Sequence, residues 1–233
     1  MTLPENFDLH DVNFDALYQG GEMVPGVALP AVPWDIGAAQ PVVIEAEAAG
    51  RFYGAVVDVG CGLGENAIYL AGQGHQVTGI DVAPTAIEQA SEQARQRGVD
   101  VEFVVADATT LAGFDGRFDS VLDGACYHCL PEEARHDYAA ALHRATRPDA
   151  LLTLFCFPSG GTGVAAAMGV PEENLRVTWG KAGWEITDLR LARYHVNADV
   201  GEMIAALGLE CEPVTDDPRG LQTPILAMEA RRA

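Results

Sequence analysis

The chain has 233 residues, enough for one sizeable core, and its 48% hydrophobic and 21% charged content excludes a disordered or fibrous protein. Its 34 acidic against 14 basic residues leave a formal net charge of -20, without the basic footprint that a nucleic acid or an anionic membrane would need as partner. No run of roughly 18 apolar residues offers a membrane span, the N-terminus does not read as a signal peptide, and five cysteines are an odd number; we therefore expect a cytoplasmic protein with reduced thiols.

Residues 1 to about 40 read as irregular, apart from a short helix near 14–19 and a Gly/Pro-rich stretch ending at Pro33-Trp34. A helix over 41–49 follows, with Pro41 suited to its first turn. From residue 54 the pattern is regular: strand 55–59, helix 65–73, strand 76–81, helix 85–97 closed by Gly98, strand 101–106, strand 118–123, helix 131–147 stopped by Pro148, and strand 151–157. Strands alternating with helices predict a parallel sheet covered on both faces. Beyond a glycine-rich stretch at 158–163, a helix is expected over 172–180 and a short helix with loop over 198–212. Late strands over 184–196 and 223–230 are expected to pair antiparallel at the sheet edge.

The chemistry begins where strand 55–59 meets Gly60, Cys61, Gly62 and Gly64. Ligands of open α/β sheets sit outside the carboxyl ends of the strands, and glycines there let backbone approach them. A dinucleotide loop reads G-x-G-x-x-G with a diphosphate on the helix N-terminus, but here the third glycine comes one residue early and Asp58 precedes the loop. A carboxylate there repels a diphosphate and attracts an ammonium or sulfonium group, which favours S-adenosylmethionine over NAD. Asp81, about 20 residues on, is placed to accept ribose hydroxyls, and Asp107 after the third strand to accept the adenine amino group. Each aspartate alone has a second reading as a cap or turn residue.

The segments VVDVGCGLGENAIYLA (56–71), VTGIDVAPTAIEQA (77–90), VVADATTL (104–111) and FDSVLDGACYHCLP (118–131) resemble the successive motifs of class I S-adenosylmethionine-dependent methyltransferases. Pro33-Trp34-Asp35-Ile36-Gly37 with Gln40-Pro41 is similar to the N-terminal cover of the thiopurine and heterocyclic-toxin branch. The resemblance implies a Rossmann-like, seven-stranded, mostly parallel sheet with helices on both faces and an antiparallel last strand. It divides one methyltransferase domain into a cover (1–50), a cofactor-binding core (54–157) and an acceptor-side region with the C-terminal strands (158–233). It also implies S-adenosylmethionine contacts at Gly60, Gly62, Asp81, Asp107 and Ala108, with Trp34 near the methionine end; Asp58, Cys61, Val82 and Asp123 join that candidate set, Asp123 with helix or loop capping as an equal alternative.

For the acceptor, His128 is the candidate base and Tyr127 a candidate pocket residue, each with an alternative role in ordering or packing the loop. Cys126 and Cys129 flank His128, but no second pair completes a zinc site, so no metal is expected. A roof is expected from Phe14, Tyr18 and Trp34, from the stretch after Phe157 with a hinge at 159–163, and from Met168, Trp179 and Trp184. The expected activity is methyl transfer to O, S or N of a small aromatic or heterocyclic molecule by a monomer or homodimer. The competing readings are a sugar or polyketide O-methyltransferase, an NAD-dependent oxidoreductase and a non-catalytic S-adenosylmethionine-binding module.

Overall fold

The structure is a computed structural model and describes residues 12–160, 163–206, 208–215 and 217–233. Helix α1 (Phe14–Tyr18) and a hairpin of β1 (Glu22–Val24) and β2 (Val27–Ala28) lead to α2 (Pro41–Ala48). The alternating region runs β3 (Ala55–Val59), α3 (Glu65–Gly72), β4 (Gln76–Asp81), α4 (Pro84–Arg97), β5 (Glu102–Val105), β6 (Phe118–Gly124), a 3-10 turn (Tyr127–Cys129), α5 (Glu132–Ala145) and β7 (Thr146–Cys156). The remainder is α6 (Gly163–Met168), α7 (Glu172–Lys181), β8 (Trp184–Val196), a 3-10 turn (Ala198–Val200), α8 (Gly201–Ala206), β9 (Glu212–Val214) and β10 (Asp217–Arg232).

The large sheet has the order β5-β4-β3-β6-β7-β10-β8, with short β9 paired to β10 off that path. Strands β3 to β7 are mutually parallel, so their carboxyl ends share one edge. Strand order reverses between β3 and β6, and this is where a crevice opens in such sheets. Side-chain alternation sends Val57, Val59 and Val121 to a core on one face and Val56 and Leu122 to a core on the other. The first core contains Tyr138, Trp179 and Trp184; the second takes in Val43 and Leu70 from α2 and α3.

Two expectations need correction. The late strands are not both at the edge: β10 inserts between β7 and β8, antiparallel to each, and its Ile225, Met228 and Ala230 are fully buried. A strand flanked on both sides reads as a continuous apolar run, which hides its position from a periodicity reading. The fifth helix stops at Ala145 rather than Arg147, because the Thr146 hydroxyl bonds to the Leu142 and His143 carbonyls and the chain turns directly into β7. Pro148 therefore lies inside the start of a strand, not past the end of a helix.

The N-terminal segment is tied down by long-range hydrogen bonds. Asp15 accepts from the Thr85 N–H at the start of α4 at 2.9 Å, and Gln89 donates to the Tyr18 carbonyl at 3.0 Å. The buried amide of Gln40 pairs with both backbone groups of His195, at 3.0 and 3.1 Å, as a strand neighbour would. The segment from Asn13 to Gln40 is thereby held against α4 and β8.

Candidate active site

The β3–α3 turn must reverse the chain sharply beneath whatever sits on the edge. Gly60 (φ +66) and Gly62 (φ +51) both lie in the left-handed region. A Cβ at Gly60 would stand 2.7 Å from the Cys126 Cβ, and one at Gly62 would stand 2.8 Å from the Tyr18 hydroxyl oxygen. The turn is also latched to the next strand, since the Cys61 N–H donates to the Ile80 carbonyl at 2.9 Å.

Asp81 closes β4 and accepts from the N–H groups of Gly62 and Ala83, both at 2.9 Å. Burial raises its carboxyl above the ordinary value, against the pull of those two donors. Each oxygen keeps a further lone pair on the cavity side. Val82, 63% exposed, stands beside it as an uncovered apolar side chain on the rim. Asp107 uses one oxygen for the N–H and hydroxyl of Thr109, at 2.8 and 2.7 Å, while the other has no partner among the described residues. Ala108 lines the cavity next to it.

Asp58 lies under this rim, 1% exposed, and neither carboxylate oxygen has a hydrogen-bond partner among the described residues. Burial, with the charges of Asp123 and Asp81 adding, pushes its carboxyl up to about 8; the nearby Ala67 N–H pulls weakly the other way without forming a hydrogen bond. A buried acid left without a donor is costly, and a cationic group nearby would relieve it.

Asp123 is a correction. Its carboxylate does not face the cavity but accepts from the N–H groups of Ala125, Cys126 and Tyr127 and from the Tyr138 hydroxyl at 2.7 Å. Fully buried, it is held at about 6, raised by desolvation and lowered by these donors. It organises the β6 turn, in which Ala125 adopts φ +95, a strained value for a residue with a Cβ. Cys61 likewise contributes backbone to the loop, and its Sγ stays against its own turn, 3.8 Å from the Gly62 carbonyl.

Tyr127 is also displaced from its expected place. Its ring is fully buried in the core against Tyr138 and Trp179, and its hydroxyl donates to Asn174 at 2.9 Å. Trp179 and Trp184 pack edge to face beneath the sheet and form no part of the roof. His128 does line the cavity, 3% exposed and stacked on Phe157 at 4.3 Å. Its Nδ1 accepts the Phe157 N–H at 3.2 Å. Burial and the charge of Arg135 lower its pKa to about 3, so the ring is neutral. Among the described residues no group of three or more His, Cys, Asp or Glu could hold a metal ion.

The rim opens into a cavity of about 530 Å³ with mostly apolar walls, within the roughly 300–1,000 Å³ of small-molecule sites. Phe14, Tyr18 and Trp34 form one wall; Trp34 Nε1 donates to the Tyr18 hydroxyl at 3.2 Å, and the Trp34 ring meets the Phe14 ring at 6.2 Å. Met168 stands in the wall as expected, while Gly161 and Thr162 of the expected hinge lie outside the described residues. Sequence reading missed Tyr194 and Ile204. Tyr194 reaches from β8 to the Gly124 carbonyl at 2.8 Å, a contact across 70 positions that leaves no local pattern.

Fold and rim together define a Rossmann-like nucleoside-binding protein whose acids suit a cationic ligand. Among known families, a methyltransferase domain model matches residues 56–149. The 2-heptyl-1-hydroxyquinolin-4(1H)-one methyltransferase of Mycobacteroides abscessus is 35% identical over 189 residues, 80% of this chain and 82% of that protein. A solved structure described as converting a disulfide bond into a thioacetal group during echinomycin biosynthesis aligns with TM-score 0.76 and 32% identity, over 94% of this chain and 90% of the other. The 1,6-didemethyltoxoflavin-N1-methyltransferase of Burkholderia thailandensis, solved with its substrate and S-adenosylhomocysteine, aligns with TM-score 0.58 and 25% identity, over 83% and 77% of the two chains. The chain belongs to the class I S-adenosylmethionine-dependent methyltransferases, and S-adenosylmethionine is its cofactor.

The residues present fit that group. The orphaned Asp58 carboxylate suits a cation, and Gly60, Asp81, Asp107 and Ala108 line the cavity together at the ends of successive parallel strands. Among the described residues no helix is long and apolar enough to cross a membrane.

Proposed function

We propose that this enzyme methylates O, S or N of a small, flat aromatic or heterocyclic acceptor held in the apolar end of the cavity. The observation that carries the reading is one continuous cavity lined by Asp81 and Asp107 together with largely apolar and aromatic side chains. In this reading Asp81 accepts the ribose hydroxyls and Asp107 the adenine amino group. Val82 and Ala108 flank the adenine. The backbone at Gly60 and Gly62 lies along the methionine portion, whose ammonium is drawn to Asp58 directly or through water. Trp34 covers the methionine end. When bound, the cofactor supplies a methyl carbon already activated by its sulfonium, so that a lone pair on the acceptor forms the new bond while the carbon–sulfur pair returns to sulfur.

What the chain itself must do is align the acceptor, exclude water and hold the acceptor's polar atoms in place. The apolar walls suit a ring system and offer few partners to a sugar's many hydroxyls. The quinolone named for the mycobacterial relative and the N1 position named for the Burkholderia relative support acceptors of this kind. The test is transfer of labelled methyl from S-adenosylmethionine to 2-heptyl-1-hydroxyquinolin-4(1H)-one, and then to simple phenols, thiols and N-heterocycles, with a sugar panel alongside. The expected result is a methylated aromatic product and no methylated sugar. Transfer to sugars alone would overturn the acceptor assignment.

A further inference from the structure

His128 is the polar group in the acceptor wall whose bonding can be followed atom by atom. Its Nδ1 accepts a hydrogen bond from the Phe157 N–H, so its lone pair is already in use. A neutral ring in that state carries its own proton on Nε2. Nε2 has no partner among the described residues, yet it is not among the buried atoms sealed from space, and the residue lines the cavity. The ring therefore offers the cavity a donor and no acceptor. Stacking on Phe157 fixes its plane.

The groups around the ring agree with a neutral donor. Arg135, from α5, is 6% exposed, donates to the Leu130 carbonyl at 3.2 Å, and lies 5.3 Å over the Tyr127 ring. It forms no carboxylate pair among the described residues, so its charge acts on its surroundings: it opposes protonation of His128 and favours a negative charge nearby. Cys126 and Cys129 in the same turn, and Cys156 on β7, are thiols that burial keeps protonated. Asp123 is turned away into its own donors, and His195 enters the cavity wall from β8.

We propose that His128 is a fixed hydrogen-bond donor to the acceptor and not its base, and that the enzyme therefore selects acceptors with an acidic O–H, S–H or N–H that enter ionised. The acceptor's proton goes to water before transfer, and none passes to His128. The Nε2–H then holds the acceptor through its anionic heteroatom or an adjacent carbonyl oxygen. This rests on the methyl-transfer reading above, but its first test does not need turnover.

In ¹⁵N-labelled protein, the His128 ring is expected to stay neutral and Nε2-protonated from about pH 5 to 8. Titration in that range, or a proton on Nδ1, would overturn the proposal. Among variants, His128→Gln puts an amide donor where Nε2 stood, and His128→Asn keeps an acceptor for Phe157 but loses the donor. His128→Asn and His128→Ala are expected to lose roughly 10- to 100-fold in kcat/KM, with a matching loss in acceptor affinity, while His128→Gln recovers most of it. All three should bind S-adenosylhomocysteine as wild type does. Equal loss in the Gln and Ala variants, with melting and cofactor binding intact, would refute the donor role.

For wild type, the pH at which kcat/KM rises is expected to move with the acidity of each member of a ring-substituted nitrophenol series. A rise fixed at one pH for every acceptor would point to a base on the enzyme. If no acceptor is methylated while S-adenosylhomocysteine still binds, the methyl-transfer reading fails, and the ring spectrum alone decides the state of His128.

Discussion

The two ends of the cavity are built by opposite means. At the cofactor end, the positioned groups come from three short segments, each a strand end and the turn after it, and their side chains bond within or next to that turn: Asp81 to Gly62 and Ala83, Asp107 to Thr109. At the acceptor end, the wall is assembled from His128, Phe157, Met168, Tyr194 and Ile204, drawn from separate parts of the chain and held by contacts such as Gln40 with His195 and Tyr194 with Gly124. One end is polar and local; the other is apolar and long-range. A ligand shared by a family is recognised by the first kind of construction, and a specificity that varies between relatives by the second.

Removing Asp81 should break the cofactor end hardest. Asp81→Ala leaves the Gly62 and Ala83 N–H groups without their acceptor as well as deleting the proposed ribose contact. The orphaned donors lower folding stability in free and bound protein alike; the binding loss comes from the ribose hydrogen bonds, each about 1.5–3 kcal/mol to a charged acceptor, so S-adenosylhomocysteine binding by calorimetry is expected to weaken at least ~100-fold. Affinity within threefold of wild type would separate Asp81 from the cofactor.

A change at the other end should leave the cofactor untouched. Phe157→Ala removes the ring on which His128 stacks in the acceptor wall. An aromatic pair is worth about 0.5–1.5 kcal/mol, so the acceptor KM is expected to rise roughly three- to tenfold with no change in S-adenosylhomocysteine affinity. Equal losses for both ligands would mean that the two ends are not independent.

The smallest effect is expected from the acid beneath the rim. Because Asp58 holds its proton in the folded chain up to about pH 8, the native state binds a proton that the unfolded chain releases near pH 4. Cofactor-free protein should therefore lose stability as pH rises through that window. Asp58→Asn removes this dependence, so above pH 8 the variant is expected to melt a few degrees higher than wild type without ligand and to bind S-adenosylhomocysteine several-fold more weakly. Parallel pH–stability curves for the two proteins would contradict the buried-acid account.

The same contrast explains what could be read from the sequence. The alternating elements, the glycine turn and the cavity-lining acids Asp81 and Asp107 are legible because each signal lies within a few residues of its turn, whereas the burial of Asp58 beneath the rim is not. For Asp123 the sequence leaves a ligand contact and a cap equally open, because an acid after a strand looks the same whether it faces a ligand or its own turn; only the donors of Ala125, Cys126 and Tyr138 distinguish them. For Tyr127, Trp179 and Trp184 the sequence leaves pocket and core both open, because aromatic residues of the two share one composition, and only the fold decides which face they take. The position of β10 was hidden from periodicity for a related reason: a strand buried on both sides carries no alternation to mark its neighbours, and it was the family resemblance that implied the antiparallel last strand.

The most direct test is a crystal structure with S-adenosylhomocysteine. The account expects both ribose hydroxyls on Asp81, the adenine amino group within hydrogen-bond reach of Asp107, the amino-acid end over Gly60 and Gly62 toward Asp58, and the sulfur opening onto the wall that carries His128. A cofactor seated with its ribose away from Asp81, or with its sulfur facing a different surface, would contradict it.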